Sequence, residues 1–145
     1  MKKTGQTSGF SPTEIKNYVV QGTGGEWAKA AMWLAVRAFY KRGCFGDLAL
    51  LVNQVHDALY GDFHQEVSDE ASALLQACME GASDFMEYYF GWYVPVPVPS
   101  VTEAGFNMMQ SKEYKSPEWK ARVKELRTEL RAEYMQGFIP KHEQE

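Results

Sequence analysis

A histidine and an aspartate lie side by side, as His56-Asp57, inside the otherwise apolar stretch LLVNQVHDALYGDF that runs from Leu50 to Phe63. An Asp at a tight turn between two strands is held in place by those strands while its carboxylate oxygens face solvent. Such oxygens are the ligands that Mg²⁺ and Ca²⁺ prefer. An Asp is also common in turns without any function, because its side chain hydrogen-bonds the backbone of the turn. The two residues by themselves leave a metal ligand and a plain polar turn both open.

The composition predicts a single packed domain outside the membrane. The chain has 145 residues, 14% of them aromatic, and no internal repeat. Its net charge of −4 argues against a free-standing nucleic-acid binder whose affinity comes from overall positive charge. A local basic patch is still compatible with this net charge. No run of about eighteen apolar residues occurs, and polar residues follow Met1-Lys2-Lys3 where a signal peptide would be apolar. We therefore expect a cytoplasmic protein with no membrane partner, in which Cys44 and Cys78 stay reduced.

The first elements predicted along the chain are a flexible segment and a helix. Residues 1–12 are small, polar and Gly-rich, which indicates a flexible lead-in. Thr23, with Glu26 three residues later, matches a capping box and predicts a helix start, and Lys41-Arg42-Gly43 predicts its end. The apolar face of this helix is predicted to consist of Trp27, Ala30, Ala31, Leu34, Ala38 and Phe39.

Two strands and a second helix are predicted next. The runs Leu48–Val52 and Ala58–Phe63 indicate a strand pair, with His56-Asp57 where the chain reverses. Ser68 and Asp69 open the clearest helix of the chain, which Gly91 ends. Its apolar stripe at helical spacing contains Ala71, Leu74, Leu75, Cys78, Met79, Ala82, Phe85, Met86 and Tyr89.

The last part of the chain predicts an extended segment and a third helix. Val94–Pro99 alternates Val with Pro, so it is expected to be an edge strand or a polyproline-like segment, never a central strand. Ser116-Pro117-Glu118 is a typical helix start, and the apolar seam of that helix comprises Trp119, Val123, Leu126, Leu130 and Tyr134. The predicted fold is therefore α+β: helix, antiparallel strand pair with the His-Asp turn, amphipathic helix, edge strand and C-terminal helix.

Several motifs, taken in order, resemble the C-terminal part of the palm of family A DNA polymerases, the DNA polymerase I type. Gln54-Val55-His56-Asp57 resembles the active-site motif of that family, which reads Gln-Val-His-Asp-Glu. Asn17 followed by Gln21-Gly22-Thr23, with Lys29 and Met32 further on, is similar to the family's palm helix. The amphipathic helix, the Val-Pro segment and Gly105-Phe106-Asn107 are similar to the end of the palm. By this resemblance residues 13–110 are palm, and residues 111–145 are a helical extension.

The resemblance implies roles for five side chains and a cofactor. Asp57 would be one of two aspartates that bind the two Mg²⁺ ions of nucleotidyl transfer. His56 would lie near the primer terminus, and Gln54 would also contact DNA. Asn17 and Gln21 would donate hydrogen bonds to minor-groove acceptors that every base pair presents, and so would check base-pair shape without reading sequence.

The chain departs from the family pattern at three positions. Ala58 stands where the family usually has Glu after the Asp, which weakens the argument for activity without removing it. Thr13 stands where many members have Arg, so a template or primer contact is in question. Val20 takes the place of a common Pro before Gln-Gly-Thr, which is a small change.

The second carboxylate of a two-metal site is missing, as is the lysine-bearing fingers helix, since both lie upstream in the family. The implied function is therefore a C-terminal fragment or split subunit of a DNA-directed DNA polymerase, acting in DNA replication. Its expected partners are primer-template DNA, a dNTP and a complementary polymerase fragment, and its lead-in resembles bacteriophage members. An isolated fragment of this kind is expected to expose the sheet face and the helix stripe that would contact the missing half.

Two other interpretations stay open. The chain has the same motifs if it is an inert remnant of an interrupted polymerase gene. It is alternatively an unrelated α+β module that binds a metal or ligand through His56, Asp57, Asp62 and His64, although side chains that alternate in direction along strands converge poorly.

Overall fold

The computed structural model describes residues 11–137, which form four helices and two antiparallel strand pairs. The α+β class expected from the sequence is confirmed. The elements are α1 (Pro12–Lys41), α2 (Cys44–Asp47), β1 (Ala49–Val55), β2 (Ala58–Phe63), α3 (Ser68–Phe90), β3 (Glu103–Ala104), β4 (Lys112–Glu113) and α4 (Pro117–Met135). No helix among these residues has the length and hydropathy needed to cross a bilayer.

Helix α3 is the centre of the molecule, since α1 packs on one side of it and α4 on another. Most of its apolar stripe is buried, with Leu74 and Cys78 fully inaccessible, whereas Met79 is half-buried and Tyr89 is 47% exposed. The expectation that this stripe would be exposed in an isolated fragment was therefore wrong, because α1 and α4 of the same chain cover it. Burial in this apolar core raises the pKa of the Cys78 thiol well above its usual range.

Helix α1 begins twelve residues earlier than the sequence predicted. Ser11 is its N-cap: the Ser11 hydroxyl accepts from the Glu14 backbone N–H at 3.1 Å, and the Glu14 carboxylate accepts from the Ser11 N–H at 2.9 Å. Pro12 at the first helical position suits this start. Thr23, the predicted cap, is inside the helix, where its hydroxyl donates to the Val19 carbonyl oxygen at 2.9 Å. The predicted flexible lead-in falls mainly on residues 1–10, which lie outside the described residues.

Helix α4 is held to α3 by its predicted seam and by polar contacts. All five seam residues are buried. The buried Trp119 indole N–H donates to the Gln76 side-chain oxygen at 2.9 Å, Arg127 Nε lies 2.7 Å from Asp84, and the Tyr89 hydroxyl donates to the Tyr134 carbonyl oxygen at 3.1 Å. Later residues of α3 thus meet later residues of α4, and the two helices run in the same direction. A long connection, residues 91–116, returns the chain to the start of α3.

This connection does not contain the predicted edge strand. Residues 94–99 form no strand and pair with none of the strands among the described residues. Pro95 and Pro97 lack the N–H that a ladder needs, which accounts for the unpaired state. The short pair of β3 and β4 forms instead, with Glu103 opposite Glu113 and Ala104 opposite Lys112.

Candidate active site at the hairpin tip

Strands β1 and β2 form a hairpin whose turn consists of His56 and Asp57. Val55 pairs with Ala58 and Gln54 with Leu59, so the loop between the strands has only two residues. Further from the turn the register shifts between Leu51 and Asn53, which is a β-bulge on β1. Bulges bend a strand and redirect its side chains, and they occur often beside functional sites.

The turn presents both polar side chains to solvent on a constrained backbone. His56 has φ of 53°, in the left-handed region that two-residue hairpin turns use and that Gly or Asn adopts most easily. The Gln54 amide donates to the His56 carbonyl oxygen at 3.3 Å, which ties the turn to β1. His56 and Asp57 are exposed, and Gln54 is half-buried. The structure thus brings together three of the five predicted site residues at one tip.

The other two predicted residues, Asn17 and Gln21, lie one turn apart on the first half of α1, and both are exposed. No hydrogen bond or ion pair within residues 11–137 connects either amide to the hairpin tip. Their side chains are therefore available to a ligand.

A cleft of about 220 Å³ separates α1 from the hairpin. At about 100° per residue, Gln21 and Met32 lie only about 20° apart around the helix axis, so Gln21 is on the side of α1 that faces this cleft. Asn17 lies about 40° further round. Gln21 is about 16 Å before Met32 along the helix axis, so it shares the helix side of the cleft but does not line the cleft. The cleft is lined by Met32, Val36, Leu51, Val52, Asn53, Gln54, Leu59 and Tyr60.

Asn53 and Tyr60 are the cleft residues that the sequence analysis missed. They face each other across the hairpin, next to the bulge. The regular spacing of Gln21, Met32 and Val36 along one helix side was the signal that could have indicated a surface here. The positions on β1 had no such signal, because the bulge changes which side of the strand each residue occupies.

Asp57 is the carboxylate that the hairpin tip supplies. Asp62 lies five residues further along β2, which places it about 16 Å away at about 3.3 Å per residue. No group of three or more His, Cys, Asp or Glu side chains between residues 11 and 137 could hold a metal ion. The proposed four-residue module of His56, Asp57, Asp62 and His64 thus does not assemble in this part of the chain. The exposed carboxylate of Asp57 fits one ligand position of Mg²⁺, and further ligands must come from elsewhere.

Gly105-Phe106-Asn107 lies in the loop between β3 and β4, beside a larger groove of about 670 Å³ that β2, the start of α3 and residues 101–111 enclose. A Cβ atom at Gly105 would overlap the backbone carbonyl oxygen of Gln110, so the loop closes only with glycine at this position. Asn107 stabilises the loop itself, because its side-chain oxygen accepts from the Met109 N–H at 2.9 Å.

Comparisons of the chain with protein-family models, with curated proteins and with solved structures found no match.

Proposed function

We propose that the chain is the C-terminal palm portion of a DNA-directed DNA polymerase of family A type and completes its active site only with a second polymerase fragment. The observation that carries the proposal is the two-residue turn that exposes His56 and Asp57 between paired strands, with the Gln54 amide hydrogen-bonded to the turn. A metal ligand in a polymerase has to be held in place and accessible at once, and a short turn between paired strands suits both requirements.

The surface beside the turn supports the same function. Gln54 lines the cleft near the tip, and Gln21 lies on the side of α1 that faces the cleft, with Asn17 one turn before it. Amide N–H groups can donate to the purine N3 and pyrimidine O2 atoms that line the minor groove of any Watson–Crick pair. The row of amides is thus suited to a duplex end whose primer terminus reaches the hairpin turn.

In the assembled site Asp57 would hold Mg²⁺ together with a carboxylate of the partner fragment. Mg²⁺ bound there would supply a lower pKa for the primer 3′-hydroxyl and stabilisation of charge on the phosphate. His56 would contact the primer backbone and keep its end beside Asp57. Asn17 and Gln21 would hold the newly paired bases in register, so that a distorted pair would lose both hydrogen bonds.

The test is primer extension with Mg²⁺, using the chain alone and mixed with a family A fragment that stops before Phe10. We expect extension only in the mixture. Asp57→Asn should reduce the rate by about 10² to 10³-fold, because a metal ligand contributes several kcal/mol to transition-state stabilisation. Asp62→Asn is the matched control, since Asp62 is an exposed carboxylate on the same hairpin; it should extend primers normally.

A mixture that forms a complex by size-exclusion chromatography but extends no primer would reject the polymerase function and favour the inert remnant. Equal loss in the Asp57 and Asp62 variants would show that Asp57 is not the metal ligand. The role of the α1 amides is tested in the same assay with Gln21→Ala, which should lower the rate more with a matched primer end than with a mismatched one, because the mismatched pair has already lost this hydrogen bond.

A further inference from the structure

The outer edge of β2 has backbone groups without partners. In an antiparallel pair, consecutive residues of a strand point their N–H and C=O groups alternately toward the neighbouring strand and away from it. The His64 N–H donates to the Leu48 carbonyl oxygen at 2.7 Å, which fixes this alternation along β2. The backbone groups of Leu59, Gly61 and Phe63 therefore point away from β1, and no hydrogen bond within residues 11–137 uses them.

The outer edge of β3 is free in the same way. The Tyr114 N–H donates to the Thr102 carbonyl oxygen at 3.0 Å, so Thr102 points its backbone groups toward the β4 side of this ladder. Its neighbour Glu103 must then point its N–H and C=O groups away from β4. Neither group takes part in a hydrogen bond in the described part of the chain. Each of the two strand pairs thus has one strand whose outer edge lacks a partner.

These two free edges border the same groove, the one of about 670 Å³. Residues 59–63 of β2 line it, and so do residues 101–105, which include β3. No residue of β1 or β4 lines it, so the strand sides that face the groove are the unpaired ones. A residue in a packed sheet takes about 160 Å³, from a rise of about 3.3 Å, a strand spacing of about 4.8 Å and a sheet spacing of about 10 Å. The groove therefore has room for about four residues of an extended chain.

The side chains that line the groove indicate what would fit there. Leu75 and Met79 of α3 belong to the lining, so every second side chain of an inserted strand would meet an apolar surface. The charged residues of the lining are Asp62 and Glu103, which are both exposed and form no ion pair within residues 11–137. No Lys or Arg lines the groove. A segment with cationic side chains would therefore compensate both carboxylates, whereas a polyanion would be repelled.

We propose that this groove binds an extended peptide segment of another protein, in which apolar residues alternate with Lys or Arg. The segment would pair with β2 on one side and with β3 on the other, and would join the two strand pairs into one sheet of five strands. Main-chain hydrogen bonds at both edges would supply affinity, and the alternating side chains would supply specificity. A sheet of only two strands is marginally stable, which favours this addition. The proposal does not depend on the polymerase function.

The test is fluorescence anisotropy of a labelled peptide of about eight residues that alternates Val with Lys, titrated with the full chain. We expect saturable binding that weakens as salt is added, because part of the attraction is between exposed charges. The matched probe is the same peptide with a methyl group on every second backbone nitrogen. It should bind at least about tenfold more weakly, because methylation blocks one edge of the peptide strand and the groove requires both.

Two variants of Glu103 separate the backbone contact from the charge. Glu103→Pro removes the N–H that faces the groove and leaves the hydrogen bond between Thr102 and Tyr114 in place, so it should weaken binding about tenfold. Glu103→Gln keeps that N–H and should weaken binding about threefold, at low salt only. Glu113→Pro is the matched control, because Glu113 lies opposite Glu103 and points its N–H away from β3. This control should bind the peptide as the unchanged chain does.

Amide hydrogen exchange of the unchanged chain shows which backbone groups the peptide uses, and it needs no variant to fold. Four amide groups that face the groove should exchange at least about tenfold more slowly when the peptide is bound. These are the amides of Leu59, Gly61, Phe63 and Glu103. The amides of α4 lie outside the groove and should keep their rates.

Any one of three results would overturn the proposal. The first is no saturable binding of the peptide at low salt, and the second is equal binding of the methylated peptide. The third is unchanged exchange at the four amides, or equal weakening by Glu103→Pro and Glu113→Pro. If the same amides are protected in the chain alone, to a degree that grows with its concentration, a second copy occupies the groove and the assignment to a basic segment of another protein is wrong.

Discussion

The two halves of α1 belong to one continuous helix but differ in almost every physical respect. The second half supplies six buried residues to the core, whereas residues 12–26 contain none. In the first half Tyr18 is 79% exposed and Val20 is 71% exposed. The predicted base-pair contacts, Asn17 and Gln21, lie in that unpacked half. The comparison indicates that the second half of α1 packs within the body of the chain, whereas the proposed contact residues Asn17 and Gln21 lie on a first half that buries no residue within the described part of the chain.

The largest expected effect is on the free energy of unfolding, when one buried side chain and one exposed side chain are each truncated to alanine. Leu74→Ala removes a fully buried side chain of α3 and should lower the free energy of unfolding by about 3 kcal/mol, with a melting temperature about 10 °C lower. Val19→Ala truncates a side chain of similar chemistry that is 64% exposed and should change the stability by less than about 0.5 kcal/mol.

Calorimetry or chemical denaturation measures both values. A large loss of stability in Val19→Ala would mean that the first half of α1 is packed in solution, for example against a second copy, and the comparison would then be wrong. In that case the loss should shrink on dilution, because both proteins then dissociate and the contact of Val19 is absent from both.

A smaller effect on stability is expected when the serine N-cap of α4, which packs on the core, and the serine N-cap of the exposed first half of α1 are each replaced by alanine. Ser116 caps α4 by accepting from the Trp119 N–H at 3.1 Å, and Ser11 caps α1 with the same distance to the Glu14 N–H. Ser116→Ala should lower global stability by about 1 kcal/mol, because Trp119 ties this helix end to the core. Ser11→Ala should cost the helix a similar amount locally while the melting temperature stays constant.

Amide hydrogen exchange resolves the difference. In Ser11→Ala the amides of residues 12–26 should exchange several times faster while those of α3 keep their rates. Faster exchange throughout the molecule would show that the first half of α1 unfolds together with the body, contrary to the comparison.

The same contrast determines which elements the sequence could predict. The ends of α3 and α4 and the hairpin were predicted nearly correctly, because apolar periodicity marks elements that pack on a core. The start of α1 was wrong, since an exposed helix has no periodic stripe and only its caps remain as signals. Ser11–Glu14 and Thr23–Glu26 both match a capping box, and the glycines around Thr23 made the second the more plausible break. The actual helix continues through it.

The candidate site was predictable to a similar degree. The position of His56-Asp57 at a strand reversal followed from the two flanking apolar runs. The bulge at Val52 and the left-handed backbone of His56 were not predictable, because both arise when the register of the hairpin has to match the packing of β1 on α1. The pairing of β3 with β4 had no sequence signal either, as it involves only two residues on each strand.

The smallest effect concerns His56, whose backbone at the hairpin tip is in the left-handed region. His56→Gly should stabilise the protein by about 0.5 kcal/mol, because glycine adopts φ of 53° without the steric cost that a side chain incurs there, and its greater freedom when unfolded offsets part of the gain. The melting temperature should rise by about 1–2 °C. In the primer-extension mixture the same variant should be slower than the unchanged chain. A gain in stability with a loss of activity would show that the imidazole is retained at a strained position for its contact with DNA. A gain in stability at full activity would mean that His56 is an ordinary turn residue and that, of the two turn residues, only Asp57 contributes to activity.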